Sequence, residues 1–195
     1  DLIDAHKSCK KLMSVLHLPV QSGSSKMLDS MNRKHNISEY YEIIENLKKV
    51  KPEIRFSSDF IIGYPGETDD DFNQTLKLIK KVEFINSYSF IYSSRPGTPA
   101  SKLDDTSLKV AKSRLIKLQA LLEDNNSKYK RGLLHKSIEV LFENKLNNQN
   151  KYFGRDKFLN SVIVESNKKL TGQILEVTVK DFNHNSLFGN TSTNE

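Results

Sequence analysis

The sequence predicts an α/β chain in two parts: the C-terminal half of a partial parallel (β/α) barrel, then a small antiparallel β-barrel. Three observations carry this. Residues 1–132 alternate between apolar spacings of three and four and short β-branched runs. Strands alternating with helices imply βαβ units and a parallel sheet. From about residue 133 the chain turns to short β-rich runs separated by Asn/Lys/Gly-rich turns, which predicts domains of 1–132 and 133–195.

In order, a helix-like opening (Leu2, Ile3, Ala5, Cys9, Leu12, Met13) leads into the apolar run Val15 to Leu18. A short helix is expected over Lys26 to Asn32, closed by Arg33, with Ser24 or Ser25 as N-cap. Tyr40, Ile43, Ile44, Leu47 and Val50 mark a second helix, for which Ser38 is the expected N-cap and Pro52 the stop. Arg55 to Ile62 reads as one strand ending at Gly63-Tyr64-Pro65-Gly66. Thr68 should cap a helix whose first turn holds Asp69, Asp70 and Asp71 and whose buried face is Phe72, Leu76, Ile79 and Val82. Asn86 to Tyr92 is the next strand, followed by a stiff loop through Pro99 and a long helix striped by Leu108, Ala111, Leu115, Leu118 and Leu122. In the second part, strands are expected at 138–142, 161–164, 172–179 and 186–188, with a frayed tail over 190–195.

Composition narrows the chemistry. The 195 residues are 36% hydrophobic and 28% charged, enough for a core but with no apolar run near the roughly 18 residues of a membrane span. A single cysteine, Cys9, excludes an intrachain disulfide, a CxxC zinc site and a self-contained iron–sulfur site, and a cytosolic compartment is the natural reading. The chain opens on Asp1 without a basic-then-apolar leader, so the expectation is a non-secreted fragment lacking N-terminal strands, since a full eight-stranded barrel takes about 250 residues. Strand edges left open in such a half barrel predict that isolated residues 1–132 aggregate. Residues 1–132 hold 22 basic and 17 acidic side chains, residues 133–195 hold 8 and 7. Lys109, Lys112, Arg114, Lys117, Lys128, Lys130, Arg131 and Lys136 face only Glu123 and Asp124 within 109–136, which suits a phosphate-tracking surface or a solvated helix face.

Three segments carry candidate chemistry. His17-Leu18-Pro19-Val20-Gln21-Ser22-Gly23-Ser24 runs from a strand into polar residues. At the C-terminal end of a barrel strand, Gln21 and Ser22 could donate to a bound group and Arg33 could pair with a carboxylate, although an ordinary βα loop would look alike. His17 has no His or Asp at i+2 or i+4 and reads as a satisfied core histidine. Asp59 to Thr68 ends a β-branched run in Gly-x-Pro-Gly, where glycines allow close backbone approach to a flat ring or a phosphate. Tyr92 to Ala100 holds Arg95 between prolines, a geometry for anchoring an anion or simply a rigid turn. Neither Gly-x-Gly-x-x-Gly nor Gly-Lys-Ser/Thr occurs, so dinucleotide and nucleoside triphosphate sites lack support.

In series, His-Leu-Pro-x-Gln-Ser-Gly-Ser, Met-Asn-Arg, Asp-x-Ile-x-Gly-x-Pro-Gly-Glu-Thr and Tyr-Ser-x-Arg-Pro-Gly-Thr-Pro-Ala resemble the radical-SAM methylthiotransferases. The nearest type is the tRNA 2-methylthio-N6-isopentenyladenosine synthases (MiaB type). The likeness continues through Arg114, Leu115, Leu118 and Gln119 to Gly154-Arg155 and Ser186-Leu187-x-Gly189, which look like a TRAM domain, an OB-like RNA-binding barrel. The resemblance implies S-adenosylmethionine (SAM) and two 4Fe-4S clusters, a methylthio group added to carbon 2 of isopentenyladenosine beside the anticodon, and the tRNA anticodon stem-loop as partner. It also implies an electron donor such as flavodoxin or ferredoxin, a monomer, a cytoplasmic location and no membrane. It places Gln21, Ser22, Asp59, Ile61, Gly63 and Pro65 beside SAM. Arg33 and Arg95 are candidates for the methionyl carboxylate and for tRNA phosphate. Gly66-Glu67 stands where many radical-SAM relatives place a Glu directly, so the resemblance assigns Glu67 no contact with SAM. Lys128, Lys130, Arg131, Arg155 and Lys157 would face tRNA, with Tyr152, Phe153, Phe158 and Phe182 available for stacking. Neither cysteine triplet is present, so this chain alone should be inactive. Rival readings are a sister methylthiotransferase acting on threonylcarbamoyladenosine in tRNA or on a ribosomal-protein aspartate, and a non-catalytic RNA-binding remnant.

Overall fold

A computed structural model describes residues 2–147 and 150–191. The chain divides into two compact units, Asp1–Leu12 with Leu16–Asn126, and Met13–Val15 with Ser127–Glu195. The division falls within a helix, ahead of the compositional change near residue 133.

The first unit is α/β. Helix α1 (Leu2–Ser8) precedes strand β1 (Val15–His17), helix α2 (Ser25–Ser30) and helix α3 (Ile37–Val50). Strands β2 (Arg55–Ser57) and β3 (Asp59–Ile62) lead to α4 (Asp69–Val82), β4 (Tyr88–Ile91), a 3-10 turn (Pro99–Lys102) and α5 (Leu108–Arg131). Helix α1 stops short of Cys9, which lies exposed just beyond it. Ser24 caps α2, as one of the two residues expected there. Asn36, not Ser38, caps α3: its side chain accepts from the Ser38 and Glu39 amides, and Glu39 reaches back to the Asn36 amide. Asn36 stands three residues before an acidic residue, which is the spacing a reciprocal capping box requires. Thr68 and Asp71 form the same device on α4.

The expected strand over 55–62 is two strands with different partners. Strand β2 pairs with β1, whereas β3 pairs in parallel with β4. Ser58 marks the change: its hydroxyl donates to the Leu18 carbonyl at 2.9 Å and accepts from the Val20 amide at 3.0 Å. A parallel bridge between Gln21 and Phe60 continues the order beyond β3. The core holds Phe56, Phe60, Ile62, Leu47, Ile54, Leu78, Ile79 and Phe84, each at most 1% exposed. On α4, Thr75 and Leu78 are also buried, while Leu76 is partly buried against that core. On α5, Ala111, Leu118 and Leu122 are buried, but Leu108 is 59% exposed at the first position of the helix, where no later turn covers it.

The second unit is a closed barrel of β5 (Ser137–Lys145), β6 (Lys151–Asp156), β7 (Ser161–Glu165), β9 (Ser186–Thr191) and β8 (Ile174–Phe182), in that order round the barrel. It is mixed rather than all antiparallel, because β7 and β9 run parallel. Closure needs that pair: the other four pairings are antiparallel, and an odd number of strands cannot alternate all the way round. Val140, Phe142, Val162, Val164, Val177, Val179 and Leu187 fill the interior on the alternate positions of their strands. Strand β6 escapes pattern reading because Gly154 interrupts Tyr152-Phe153-Gly154-Arg155. That glycine is a packing requirement, since a Cβ there would stand 2.5 Å from the Leu141 carbonyl oxygen. Asn190 and Thr191, expected in a frayed tail, complete β9, and the rest of that tail lies outside the described residues.

Candidate functional site

Three strand ends lie side by side: Gln21 next to β3 through its bridge with Phe60, the Ile62–Gly63 end of β3, and the Ile91–Tyr92 end of β4, whose Tyr92 amide donates to the Ile62 carbonyl at 2.8 Å. Ligands of parallel α/β sheets bind at such carboxyl ends. The loops that follow converge as well. Met27 of α2, Tyr64 of the β3 loop and Ala100 of the 3-10 turn form one small apolar cluster, with Met31 and Tyr92 against it. The Tyr64 hydroxyl donates to the Ser30 carbonyl at 2.8 Å, and the Tyr64 and Tyr92 rings meet edge to face at 4.9 Å. All three candidate segments therefore border one mouth.

Gln21 is the most unusual residue there. Its φ is +74°, in the left-handed region that a side chain normally avoids. The backbone is held in place from both sides, the amide donating to the Asp59 carbonyl and the carbonyl accepting from the Ile61 amide, each at 2.9 Å. The residue is 7% exposed, and its side-chain amide makes no hydrogen bond with the described residues, which leaves its polar atoms to solvent or a ligand. Strain of this kind costs about 1–3 kcal/mol and persists where surrounding structure over-determines it. A side-chain amide with two donors and an acceptor left over is a ready contact for a polar ligand.

Ser22 does something different from what its sequence position suggests. It is 1% exposed, and its hydroxyl lies 3.3 Å from Thr75 Oγ1 and accepts from the Ser24 amide. The Gly23 amide donates to Thr75 Oγ1 at 2.9 Å, and a Cβ on Gly23 would stand 2.6 Å from the Gln74 carbonyl oxygen. Ser24 donates to Asp71 at 2.6 Å and Lys26 to the same carboxylate at 3.1 Å. Burial alone would raise the Asp71 carboxyl. The hydrogen bonds from Ser24, Thr68 and Lys26 outweigh it and hold the group well below the usual carboxylate range. Ser22, Gly23 and Ser24 thus weld the Gln21 loop to α4, with no hydroxyl to spare for a ligand.

The β3 loop is fixed by a buried carboxylate. Gly63 (φ +73°) donates its amide to Glu67 Oε2 at 2.9 Å, and the same oxygen receives Arg114 at 2.8 Å. A side chain on Gly63 would meet the Ala111 Cβ at 2.8 Å, so the turn needs glycine for conformation and for space. Burial raises the Glu67 carboxyl against the pull of the Gly63 amide and Arg114. Glu67 is thereby committed to the loop. Pro65 is buried beside it, whereas Gly66 (φ +80°) is exposed with open space around it.

Asp59 and Ile61 lie half-buried on one face of β3. Asp59 Oδ2 stands 3.5 Å from His17 Nε2, and His17 Nδ1 stands 2.8 Å from the Ser57 hydroxyl. His17, expected in the core, keeps 45% of its side chain in solvent, because this sheet face is left uncovered. Arg33 and Arg95 are exposed, and their guanidinium groups have no partner among the described residues.

The basic stretch 109–136 is partly consumed by structure. Arg114 is buried on Glu67 and Asp69. Lys130 is 3% exposed with its ammonium on the Asn183 and His184 carbonyls, which makes it a tether within the barrel unit rather than a surface cation. Lys128 and Arg131 are exposed, as are Arg155 and Lys157, whose cations lie 5.2 Å from the Phe153 and Phe158 ring centres. Tyr152 and Phe182 belong to the barrel core, which leaves Phe153 and Phe158 as half-buried aromatic platforms. Among the described residues no three His, Cys, Asp or Glu side chains cluster as metal ligands, and no helix is long and apolar enough to cross a membrane.

Residues 1–79 match the family model described as the Radical SAM superfamily. The chain is 50% identical over 189 residues to a tRNA-2-methylthio-N(6)-dimethylallyladenosine synthase of Pelagibacter ubique (strain HTCC1062), covering 97% of this chain and 42% of that protein. It is 45% identical over 188 residues to the protein of the same name from Wolbachia pipientis wMel (95% and 43%), and 43% identical over 190 residues to that of Jannaschia sp. (strain CCS1) (97% and 41%). The chain therefore spans less than half the length of these relatives.

Proposed function

We propose, on the premise that this chain is a relative of the radical SAM tRNA methylthiotransferases, that it forms part of an enzyme adding a methylthio group to carbon 2 of N6-isopentenyl (dimethylallyl) adenosine next to the anticodon. Residues 1–132 then supply part of a parallel (β/α) radical-SAM barrel, and 133–195 an OB-like TRAM barrel for the tRNA anticodon stem-loop. The observation that carries this reading is Gln21: strained and largely buried, its side-chain amide bonded to no described residue, at a mouth formed by the three segments whose order matches the family.

The residues at that mouth fit SAM, which supplies the methyl group and the radical-forming half of the chemistry. Gln21 would bind a polar edge of the cofactor. Asp59, Ile61 and the Gly63 turn, with Pro65 stiffening it, would line its ring, the glycine allowing the backbone close approach. Ser22 and Glu67 hold those loops in position. Exposed Arg33 and Arg95 suit a carboxylate or a phosphate. The two 4Fe-4S clusters find no ligand set here, since Cys9 stands exposed and alone, so no step is assigned to them and the chain is expected to be inactive by itself. Lys128, Arg131, Arg155 and Lys157 would meet RNA phosphates. An electron donor such as flavodoxin or ferredoxin, action as a monomer and a cytoplasmic site complete the reading.

Nucleoside mass spectrometry of tRNA from a strain lacking this gene tests it. The 2-methylthio-isopentenyl nucleoside should disappear and its isopentenyl precursor accumulate. Loss of only the threonylcarbamoyl product would reassign the substrate.

A further inference from the structure

The uncovered face of the β3–β4 sheet carries two large rings in solvent, Tyr88 at 60% and Phe90 at 56% exposure. Registered partners in a sheet share a face, so Tyr88 stands beside Asp59 and Phe90 beside Ile61. The opposite face, Phe60 and Ile62, is fully buried in the core. Parallel sheets ordinarily bury both faces, and a wall of two open aromatics needs a cover. Its chemistry selects that cover. Rings two residues apart on one strand sit roughly 7 Å from each other and offer π-faces to a flat heterocycle. Ile61, registered beside Phe90, joins this wall to the strand that borders the cofactor mouth. Neither strand contributes a lysine or arginine, and the Asp59 carboxylate beside Tyr88 disfavours phosphate, so this wall suits the base of a nucleotide rather than its backbone.

We propose that Tyr88 and Phe90 form the wall that receives the target purine, with Phe90 contacting its N6-alkyl group and thereby setting the preference for an alkylated base, while Asp59 and Ile61 beside them stay with the cofactor. This rests on the tRNA reading above and deepens it by naming the residues that choose the substrate.

The test uses the whole 195-residue chain and two labelled anticodon stem-loop RNAs, identical except that one carries N6-isopentenyladenosine and the other adenosine 3′ of the anticodon. Fluorescence anisotropy should show about tenfold tighter binding of the isopentenylated RNA, as expected for burying a few methylene-sized groups. Phe90→Ala should reduce that preference to within about twofold, and Tyr88→Ala should weaken binding of the isopentenylated RNA about tenfold through lost stacking. Ile174→Ala, an exposed apolar residue on β8, should leave the preference intact. Equal affinity of the unaltered chain for both RNAs, or a preference that survives Phe90→Ala, overturns the assignment. The tRNA reading stands or falls separately, on the nucleosides of the deletion strain.

Discussion

Glu67 Oε2 and Arg114 Nη1 meet at 2.8 Å with only 1% and 9% of the two side chains exposed. Asp69 takes the other guanidinium nitrogen at 2.8 Å, and the Gly63 amide shares the Glu67 oxygen. This clamp joins the β3 loop to α5. Removing one member of a buried pair strands the other, at a cost of about 3–5 kcal/mol, whereas an apolar replacement of both costs much less. Glu67→Leu and Arg114→Met should each lower the urea midpoint strongly. Glu67→Leu combined with Arg114→Met should destabilise by clearly less than the sum of the single changes, and strict additivity would contradict the clamp.

Asp71 sets an acid limit on the first unit. Its folded carboxyl titrates below the unfolded value, so its stabilisation is complete above about pH 4 and is lost as the pH falls toward the lower folded value. Urea unfolding followed from pH 6 to pH 3 should show a decline to which this carboxylate contributes about 1 kcal/mol. Asp71→Asn should flatten that limb and leave the neutral-pH protein less stable. An unchanged acid limb would show that other groups control it.

The barrel discriminates between glycines. A Cβ on Gly154 or Gly189 would stand 2.5 or 2.4 Å from a neighbouring strand's carbonyl oxygen, at Leu141 and Thr178 respectively. Gly172 (φ +82°) has nothing within 4 Å. Gly154→Ala and Gly189→Ala should each cost more than about 2 kcal/mol, because the barrel must open locally, while Gly172→Ala costs about 1 kcal/mol of backbone strain. Thermal melts of the three variants give the order.

Gln21 separates stability from function. Gln21→Gly relieves the positive φ and should leave the fold as stable or about 1 kcal/mol more stable. In cells carrying that change, the methylthio nucleoside should fall at least tenfold at normal protein levels. Full modification would mean that the side chain has no part in binding.

Much of this was legible in sequence because local rules agreed with one another. Thr68 with Asp71 wrote the start of α4, and Gly63 with Gly66 wrote a turn that takes positive φ at both positions. The three polar segments also predicted their own convergence. Other features depended on partners distant in sequence. Ser22 looked available until Thr75 was seen against it, and Lys130 until the Asn183 and His184 carbonyls were. Strand β6 was hidden because Gly154 fits a space defined by β5. Asn86 to Tyr92 reads only as a strand, so the exposure of Tyr88 and Phe90 is visible only once the sheet is built.

The central claim is that the three neighbouring strand ends surround a sulfonium cofactor. Titrating the isotope-labelled chain with SAM while following its amide NMR signals tests that directly. The account predicts saturable shifts of the Gln21 side-chain amide and of the Asp59, Ile61 and Gly63 backbone amides, with the barrel unit unmoved. Shifts confined to residues 133–195, or none near Gln21 at saturating cofactor, would contradict it.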